Sequence, residues 1–405
     1  MSHLKSLLSI LLISLSAVNA SPLRRDASMA TLRFAARLNA REDATLSIAD
    51  ADRARAQAMV HAGSKSKRAG SSSVSITNGV VDYVAQVGVG SPATQYSLLV
   101  DTGSSNTWIG AATQYNPTST SVDTGDTVYV SYGSGEFSGE EYLDTVTLSS
   151  DLVITGQSIG VAQSTSGFNN VDGILGIGPT DLTQGSVSSG GLVPTVTDNL
   201  FSKGIIGTEA LGIFFPPISA NSAGELTFGG YDSSKTTSPV NYVPLTTTSP
   251  ASSYWGIDQS IAYGSSTILS ETAGIVDTGT TLILIATDAF DQYKSATGAT
   301  MDQTTGLLTI TSDQYAKLQP LTFNIGGSPY DLTPDAQIWP RSLNTEIGGS
   351  SSSIYLIVTD IGSDSGSGLD FINGYSFLQR FYSVFDTTDH RVGFATTSYT
   401  DAVIN

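Results

Sequence analysis

From residue 81 onward the chain is a series of short segments in which large apolar residues alternate with small or polar ones. Val81 to Gly90, Thr127 to Tyr132 and Tyr142 to Leu148 are examples of these segments. Turn-forming residues separate them about every ten positions, a spacing that is typical of β-sandwiches and β-barrels. The pattern therefore predicts a protein built mostly of β-strands.

Helical patterns in the same region are few and short. Pro194 begins a segment that ends before Gly204, with Pro at the helix start and Gly after its end. A second helix is expected from Thr287 to just before Gly298, and a third over residues 312–318. Such short helices leave the predicted fold class unchanged.

The N-terminal end has the pattern of an export signal. Lys5 precedes a largely apolar run from Leu7 to Leu15, and Val18-Asn19-Ala20 supplies the small residues expected at a cleavage site. The apolar run is shorter than the ~20 residues that a membrane span needs. Residues 1–20 are therefore predicted to be a signal peptide, and the protein is expected to be secreted and extracellular.

Residues 21–68 are predicted to be a propeptide. The stretch from Ser28 to Val60 is rich in Ala, Leu and Arg and contains no Pro or Gly, which favours a helix that ends at Gly63. The basic run Lys65-Ser66-Lys67-Arg68 follows and indicates a dibasic processing site. The alternative interpretation of the region is a flexible basic arm.

Charge is divided unevenly between this region and the rest. Positions 1–68 hold eleven of the 18 basic residues but only five of the 36 acidic ones, which leaves positions 69–405 with a net charge of −24. Such a surface repels nucleic acid and anionic membranes, so neither is an expected partner. A basic propeptide on this acidic body is a candidate clamp that holds at neutral pH and is released in acid.

Cysteine and histidine are nearly absent. The sequence has no Cys, and its three His residues are His3, His61 and His390. Cysteine nucleophiles and thiolate or zinc sites are thereby excluded, and no metal or other cofactor is expected. His390 lies in the charged turn Asp389-His390-Arg391, where a solvated surface position is expected. Carboxylates are left as the candidate catalytic groups.

One short motif occurs twice, as Asp101-Thr102-Gly103-Ser104-Ser105 and Asp277-Thr278-Gly279-Thr280-Thr281. Each copy follows an apolar run, which predicts a buried strand that ends at a carboxylate on a tight loop. Ile174-Leu175-Gly176 and Ile372-Asn373-Gly374 follow the two copies in matching order. The repetition indicates a duplicated unit, with two lobes that meet near residue 240.

A single Asp-Thr-Gly is most simply a turn that caps a strand, but two copies favour catalysis. If the fold brings the two loops together, like charges at close range cannot both ionise, so one carboxyl keeps its proton while the other is a base. The adjacent glycines let backbone N–H groups approach, and the adjacent hydroxyls can brace the loops or donate to the carboxylates. The supporting residues are predicted to be Thr102, Gly103, Ser104, Thr278, Gly279 and Thr280.

The full set of motifs resembles that of the pepsin-like aspartic proteases. It comprises Asp101 to Trp108, Tyr132 to Gly135, Val171 to Gly176, Glu225 to Gly229, Tyr254 to Ile257, Asp277 to Thr281 and Phe381 to Asp386. The resemblance implies an all-β, bilobal fold of two related barrel-like lobes, over residues 69–240 and 241–405, with the active-site cleft between them. It assigns Asp101 and Asp277 as the catalytic pair of an aspartic endopeptidase that activates water without a covalent intermediate.

The resemblance also implies a flap over the substrate. Tyr132-Gly133-Ser134 is assigned as its tip, and Trp108 is placed to share a hydrogen bond with the Tyr132 hydroxyl. Protein or peptide substrates, inhibition by pepstatin-like compounds and a monomeric state are expected. Asn373 and Tyr375 depart from the pattern of the animal enzymes, the disulfides of those enzymes are missing, and no activation lysine aligns with the propeptide.

Two other function classes compete with a protease. The same fold serves as a ligand- or inhibitor-binding protein when its aspartates are lost, but both motifs and Tyr132 are intact here. A cell-wall adhesion protein is suggested only by the abundance of Ser and Thr. It predicts a Ser/Thr-Pro stalk or an anchor, and the sequence has neither.

Overall fold

Strands dominate the structure, a computed structural model that describes residues 29–38, 47–63, 81–132, 135–168, 171–220 and 222–405. The strands of the first half are β1 (Ala30–Leu38), β2 (Val81–Val89), β3 (Thr94–Asp101), β4 (Trp108–Ile109), β5 (Val122–Ser131), β6 (Glu136–Ser149), β7 (Leu152–Ser166), β8 (Gly173–Gly176), β9 (Ala210–Phe214), β10 (Gly224–Phe228) and β11 (Asn241–Pro244). Those of the second half are β12 (Gly256–Tyr263), β13 (Ser266–Val276), β14 (Ile283–Ile285), β15 (Thr300–Met301), β16 (Leu308–Ile310), β17 (Leu321–Ile325), β18 (Ser328–Leu332), β19 (Ile354–Tyr355), β20 (Val358–Asp360), β21 (Phe371–Asn373), β22 (Phe381–Asp386) and β23 (Arg391–Thr396). The α-helices of the described residues are α1 (Ile48–Gly63), α2 (Val196–Ser202), α3 (Thr287–Thr297), α4 (Ser312–Tyr315) and α5 (Tyr375–Leu378).

The strands of the described residues form three sheets, and the largest combines the strands of the first half with β22 and β23 from the second. A 13-stranded sheet has the order β11-β23-β22-β9-β10-β1-β2-β3-β8-β4-β7-β6-β5, and an additional pairing of β2 with β6 closes six of its strands into a barrel. The second half forms a seven-stranded sheet, β18-β17-β12-β13-β21-β14-β20, and a three-stranded sheet, β15-β16-β19. The all-β, bilobal fold predicted from the sequence is confirmed.

Equivalent strand pairs deliver the repeated motif in the two halves. Strand β3 runs parallel to β8 with Asp101 opposite Gly176, and β13 runs parallel to β21 with Val276 opposite Asn373. A side chain at Gly176 would meet the Asn106 backbone oxygen at 2.6 Å, and one at Gly374 would meet the Thr280 backbone oxygen at the same distance. Both glycines therefore permit one backbone to pass close to another, as the sequence predicts.

The helix expected over Ser28 to Val60 is only partly correct. Helix α1 begins after Ser47, whose hydroxyl accepts a hydrogen bond from the Asp50 backbone N–H, and it extends to Gly63. Residues 30–38 instead form β1, which is hydrogen-bonded to β10 on one side and β2 on the other. Pairing on both edges outweighs the weak helical preference of Ala, Leu and Arg. The predicted signal peptide and the dibasic run lie outside the described residues.

The three short helices predicted from the pattern are confirmed as α2, α3 and α4. Thr195 and Thr311 each form a capping box at the start of α2 and α4, and Gly298 ends α3 in the left-handed conformation at φ 68°. His390 is exposed, as predicted, in the turn between β22 and β23. Within the described ranges, no helix has the length and apolar character needed to cross a membrane.

A buried ion pair ties the C-terminal residues to the second lobe. The Arg380 guanidinium is fully buried and lies 3.2 Å from Asp335 Oδ2. It also donates to the backbone oxygens of Tyr399 and Ala402, while Asp335 accepts from the Ile404 backbone N–H. Burial lowers the pKa of Arg380, and the Asp335 carboxylate opposes this shift.

Asp335→Asn is therefore expected to lower the free energy of unfolding by about 3–5 kcal/mol, because it leaves a buried guanidinium unpaired. Urea denaturation at neutral pH measures the change. The matched control is Asp389→Asn, which removes an exposed carboxylate from its ion pair with Arg391 and is expected to cost about 1 kcal/mol or less. Equal destabilisation of the two variants would contradict the prediction.

Candidate active site

The two repeated aspartates meet at the junction of the lobes. Asp101 ends β3, Asp277 follows β13, and both side chains are fully buried. A Cβ built on Gly103 would lie 2.5 Å from Asp277 Oδ1, and one built on Gly279 would lie 2.5 Å from Asp101 Oδ1. Each glycine thus makes room for the carboxylate of the opposite lobe, and only a residue without a side chain fits there.

The hydrogen bonds around the two carboxylates match almost atom for atom. Asp101 Oδ1 accepts from the Gly103 N–H at 3.0 Å, and its Oδ2 accepts from the Ser104 hydroxyl at 2.5 Å. Asp277 Oδ1 accepts from the Gly279 N–H at 3.1 Å, and its Oδ2 accepts from the Thr280 hydroxyl at 2.6 Å. These bonds fix both carboxylate planes, with the two Oδ1 atoms on the inner side.

The threonines of the motifs brace the loops against each other. The Thr102 backbone N–H donates to Thr278 Oγ1, and the Thr278 backbone N–H donates to Thr102 Oγ1, both at 2.9 Å. Each hydroxyl in turn donates to a backbone oxygen of the opposite lobe, that of Val276 or Val100. Because every donor is buried and paired across the lobes, the separation of the aspartates is held rigidly.

The pKa values of the two aspartates shift in opposite directions. Burial raises the pKa of Asp101, and the nearby Arg55 only partly offsets this increase. Burial acts in the same direction on Asp277, but its ion pair and hydrogen bond with Arg55 and the bonds from Thr280 and Gly279 together bring its pKa below the usual value. Asp277 is therefore the more readily ionised member of a coupled pair.

Arg55 of α1 occupies the space between the aspartates, and sequence reasoning missed it. Its Nη2 lies 2.6 Å from Asp101 Oδ1 and 3.1 Å from Asp277 Oδ1, and its Nε lies 2.8 Å from Asp277 Oδ2. The two carboxylates raise the pKa of Arg55 despite its burial. The only sequence signal was a basic residue in an Ala-rich helix, which does not indicate what that residue contacts.

The rest of α1 fills the cleft. Met59 is buried against the first lobe, and its backbone oxygen accepts from the Tyr254 hydroxyl at 3.1 Å. Asp52, one helical turn before Arg55, accepts from the backbone N–H groups of Thr281 and Leu282 at the end of the second motif. A cavity of about 90 Å³ remains beside the helix, lined by residues that include Gly103 and Tyr132. The cleft is closed to an extended peptide in this state.

The predicted flap is a hairpin of β5 and β6, in which Val130 pairs with Phe137. Tyr132 is buried at its end, and its ring packs edge-on against Phe168 at 5.4 Å. Gly133 and Ser134 lie outside the described residues.

Trp108 lies beneath the flap, with its ring stacked on Phe137 at 4.4 Å. The hydrogen bond expected between Trp108 and Tyr132 is not formed, since neither the indole N–H nor the hydroxyl has a partner among the described atoms. Burial raises the pKa of the Tyr132 hydroxyl, and the nearby indole acts in the opposite direction. Phe168 packs edge-on against both rings.

Asn373 and Tyr375, which differ from the residues of the animal enzymes, both form contacts within the core. The Asn373 and Gln259 side chains are buried and exchange hydrogen bonds of 2.8 and 3.2 Å. Tyr375 donates to Gln379 Oε1 and packs against Tyr83 at a centroid distance of 4.6 Å. Both sets of partners satisfy polar groups in the core.

Comparisons with known proteins agree with this geometry. Residues 82–397 match the family model described as eukaryotic aspartyl protease. The chain is 65% identical over 338 residues to polyporopepsin from Irpex lacteus, which covers 82% of this chain and 99% of that protein. It is 35% identical to rhizopuspepsin from Rhizopus chinensis, over 64% of this chain and 67% of that protein, and 29% identical to pepsin A from Gallus gallus, over 77% and 83%.

The fold has an experimentally determined counterpart as well. The crystal structure of an aspartic proteinase from Irpex lacteus superposes with a TM-score of 0.78 at 65% identity, covering 80% of this chain and 96% of that one. The resemblance seen in the motifs is thereby confirmed. The chain belongs to the eukaryotic aspartyl proteases and is a pepsin-like, aspartic-type endopeptidase.

Proposed function

We propose that this protein is a secreted endopeptidase that is made as a zymogen and hydrolyses proteins in acid, with Asp101 and Asp277 as its catalytic pair. The observation that supports the pairing is the matched set of hydrogen bonds that aims one oxygen of each carboxylate at a common point. In this assignment residues 1–20 are the signal peptide and residues 21–68 the propeptide. The lobes extend over 69–240 and 241–405.

The mechanism follows from the placement of the inner oxygens. Arg55 Nη2 is within hydrogen-bonding distance of both Oδ1 atoms, so a water molecule has the same two partners once the helix has left. The ionised aspartate takes a proton from that water as it attacks the scissile carbonyl carbon, while the protonated aspartate donates to the carbonyl oxygen. The gem-diol then collapses, a proton passes to the leaving nitrogen, and no covalent intermediate forms.

Substrate is held in the cleft that α1 fills in this structure. Tyr132, with Gly133 and Ser134, is assigned to the flap above an extended peptide, and Trp108 to the wall beneath it. Thr102, Gly103, Ser104, Thr278, Gly279 and Thr280 are assigned to hold the catalytic carboxylates. Proteins and peptides are the proposed partners, pepstatin-like compounds the proposed inhibitors, and the monomer the proposed state.

The zymogen assignment is supported by the burial of Arg55 between the aspartates. A guanidinium with bonds to both carboxylates excludes the water, and the helix that bears it excludes the substrate. Because Arg55 precedes the predicted processing run, cleavage there separates the helix from the enzyme. Retention of the helix then depends on non-covalent contacts alone.

The deciding experiment is digestion of casein by the processed protein at about pH 3.5, where a coupled aspartate pair holds a single proton. Cleavage is expected, and equimolar pepstatin is expected to abolish it. Cleavage that persists with pepstatin would rule out the proposed mechanism, in which the aspartate pair activates water. Pepstatin binding without cleavage would instead support the ligand-binding alternative.

A further inference from the structure

Helix α1 makes two buried contacts with the enzyme through ionisable side chains. One is the ion pair of Arg55, and the other is formed by the acidic side chain of Asp52. Asp52 is only 6% exposed, although it belongs to the predicted propeptide. It contacts the backbone of the loop that continues from the second Asp-Thr-Gly motif. The mechanism proposed above makes no use of this side chain.

The hydrogen bonds of Asp52 converge on one of its two oxygens. Oδ2 accepts from the backbone N–H of Leu282 at 2.8 Å and from that of Thr281 at 3.1 Å, whereas Oδ1 receives only a 3.3 Å bond from Thr281. No ion pair of Asp52 is present among the described residues. These N–H donors favour the ionised carboxylate, but no cation pairs with it among the described residues, so burial still favours the neutral acid.

The charges that face Asp52 do not neutralise it. Arg55, on the same helix, directs its guanidinium to the catalytic pair, and its attraction is opposed by repulsion from Asp277. On the other packed element, β20, the Asp360 carboxylate is held by Thr287, while Arg53 donates to the Asp360 backbone oxygen and pairs with Asp50. The docked helix therefore buries three carboxyl groups around one guanidinium, an arrangement that favours uptake of a proton.

We propose that Asp52 is a second anchor of α1 that binds as the neutral acid, so that it tightens the docked helix as the pH falls and opposes release through Arg55. The proposal rests on the zymogen function proposed above and defines how that site is regulated. The two anchors respond to acid in opposite directions. The ion pairs of Arg55 require ionised aspartates, so they weaken as the pH falls. Burial of the Asp52 carboxyl becomes more favourable over the same change, because the neutral acid is easier to bury.

The direction of the pH effect on helix docking follows from the pKa of Asp52 in the docked and in the released propeptide. Burial is the largest effect and raises the pKa of the docked carboxyl to about 7, while the bonds from Leu282 and Thr281 and the charge of Arg55 only moderate the shift. In the released propeptide an aspartate has a pKa near 3.9. Docking through this contact is therefore weakest above pH 7 and strengthens until about pH 4, by a factor on the order of 10²–10³.

The test uses the full-length chain and pepstatin, which binds only when α1 leaves the cleft. Apparent pepstatin dissociation constants are measured from pH 7 to pH 4 for wild type and Asp52→Asn, before processing occurs. Asn keeps the shape and the acceptor oxygen but never ionises. At pH 7 the variant is expected to bind pepstatin about 100-fold more weakly than wild type, and the two are expected to converge to within a few-fold at pH 4.

Two controls make the result interpretable. Asp50→Asn removes a more exposed carboxylate of the same helix and is expected to follow the wild-type pH profile. Processing of each variant yields the same mature chain, which supplies the reference affinity for pepstatin. A constant ratio between wild type and Asp52→Asn over the whole range, or tighter pepstatin binding by Asp52→Asn at pH 7, would overturn the proposal.

Failure of the underlying zymogen function has a different signature. If α1 does not inhibit, the full-length wild type binds pepstatin as tightly as the processed chain at every pH. The Asp52 proposal fails alone when the full-length chain is inhibited but Asp52→Asn leaves the pH profile unchanged.

Discussion

Replacing Asp277 with Asn is expected to lower kcat for peptide hydrolysis by about 10³-fold or more, with KM changed little. The amide has the volume of the carboxylate; its oxygen can still accept from the Gly279 N–H while its NH2 group donates to the Thr280 hydroxyl oxygen, so the loop is expected to keep its geometry. It cannot take a proton from water, however, and loss of a general base costs about 10²–10⁴ in rate. A change confined to kcat indicates an interaction that matters in the transition state.

Initial rates of a peptide substrate at about pH 3.5 measure the effect, with Asp101→Asn expected to match it because the pair acts as a unit. Asp258→Asn is the matched control, since Asp258 is an exposed carboxylate on β12 of the same lobe. Its activity is expected to equal that of the wild type. Retention of more than a tenth of the activity by Asp277→Asn would exclude it from catalysis.

Replacing Arg55 with Ala is expected to make the full-length chain active before any processing. The substitution leaves two buried carboxyl groups without their cation and opens a space beneath α1. Removing one partner of a buried ion pair costs about 3–5 kcal/mol, which weakens docking of the helix by about 10²–10⁴-fold. Hydrolysis of a small peptide substrate within the first minutes, with mass spectrometry to show an intact chain, measures the release.

Arg53→Ala is the matched control for this prediction. Arg53 lies two positions earlier on the same helix and pairs with Asp50 at the partly exposed side of α1. Its loss is expected to leave the full-length chain inactive. Arg55→Lys is expected to be intermediate, because an ammonium keeps the charge but lacks the planar fork that contacts both carboxylates. An Arg55→Ala chain that becomes active only after processing would refute the clamp.

Arg55 and Asp52 together determine the pH at which α1 leaves the cleft. With Arg55 intact, acid weakens one contact of α1 and strengthens the other, so the pH at which the helix leaves depends on the balance between them. Asp52→Asn and Arg55→Ala shift this balance in opposite directions at neutral pH. Their comparison therefore separates loss of the clamp from a change in its pH dependence.

The strands and the paired motifs were predictable because their signals are local. Alternation of apolar and polar residues reports which face of a strand is buried, and it placed β2 within one residue and the C-terminal halves of β5 and β6. The doubled Asp-Thr-Gly, with the two Gly-closed strands in matching order, indicated a duplicated unit before any contact was known. The fold class needed nothing beyond these local patterns.

Strand β1 shows where local signals are insufficient. Leu32 and Phe34 are buried and alternate with exposed Thr31 and Arg33, but the composition of the region favours a helix. The free edges of β2 and β10, which lie far apart in sequence, decide the matter by pairing with both sides of the segment. The expected hydrogen bond between Tyr132 and Trp108 is another such case, since both rings pack against Phe168, a contact that the local sequence does not indicate.

The sequence by itself determined the all-β fold, the two catalytic candidates and the residues that hold them, since each of these follows from short-range periodicity or from a repeated motif. Only the tertiary structure decided that Arg55 and Asp52 enter the site. Arg55 is 46 positions from Asp101 and 222 from Asp277, and Asp52 is 230 positions from Leu282. The sequence gives the charge of each side chain directly. Its interaction partners could not be predicted in the same way, because they depend on which distant segments folding brings together.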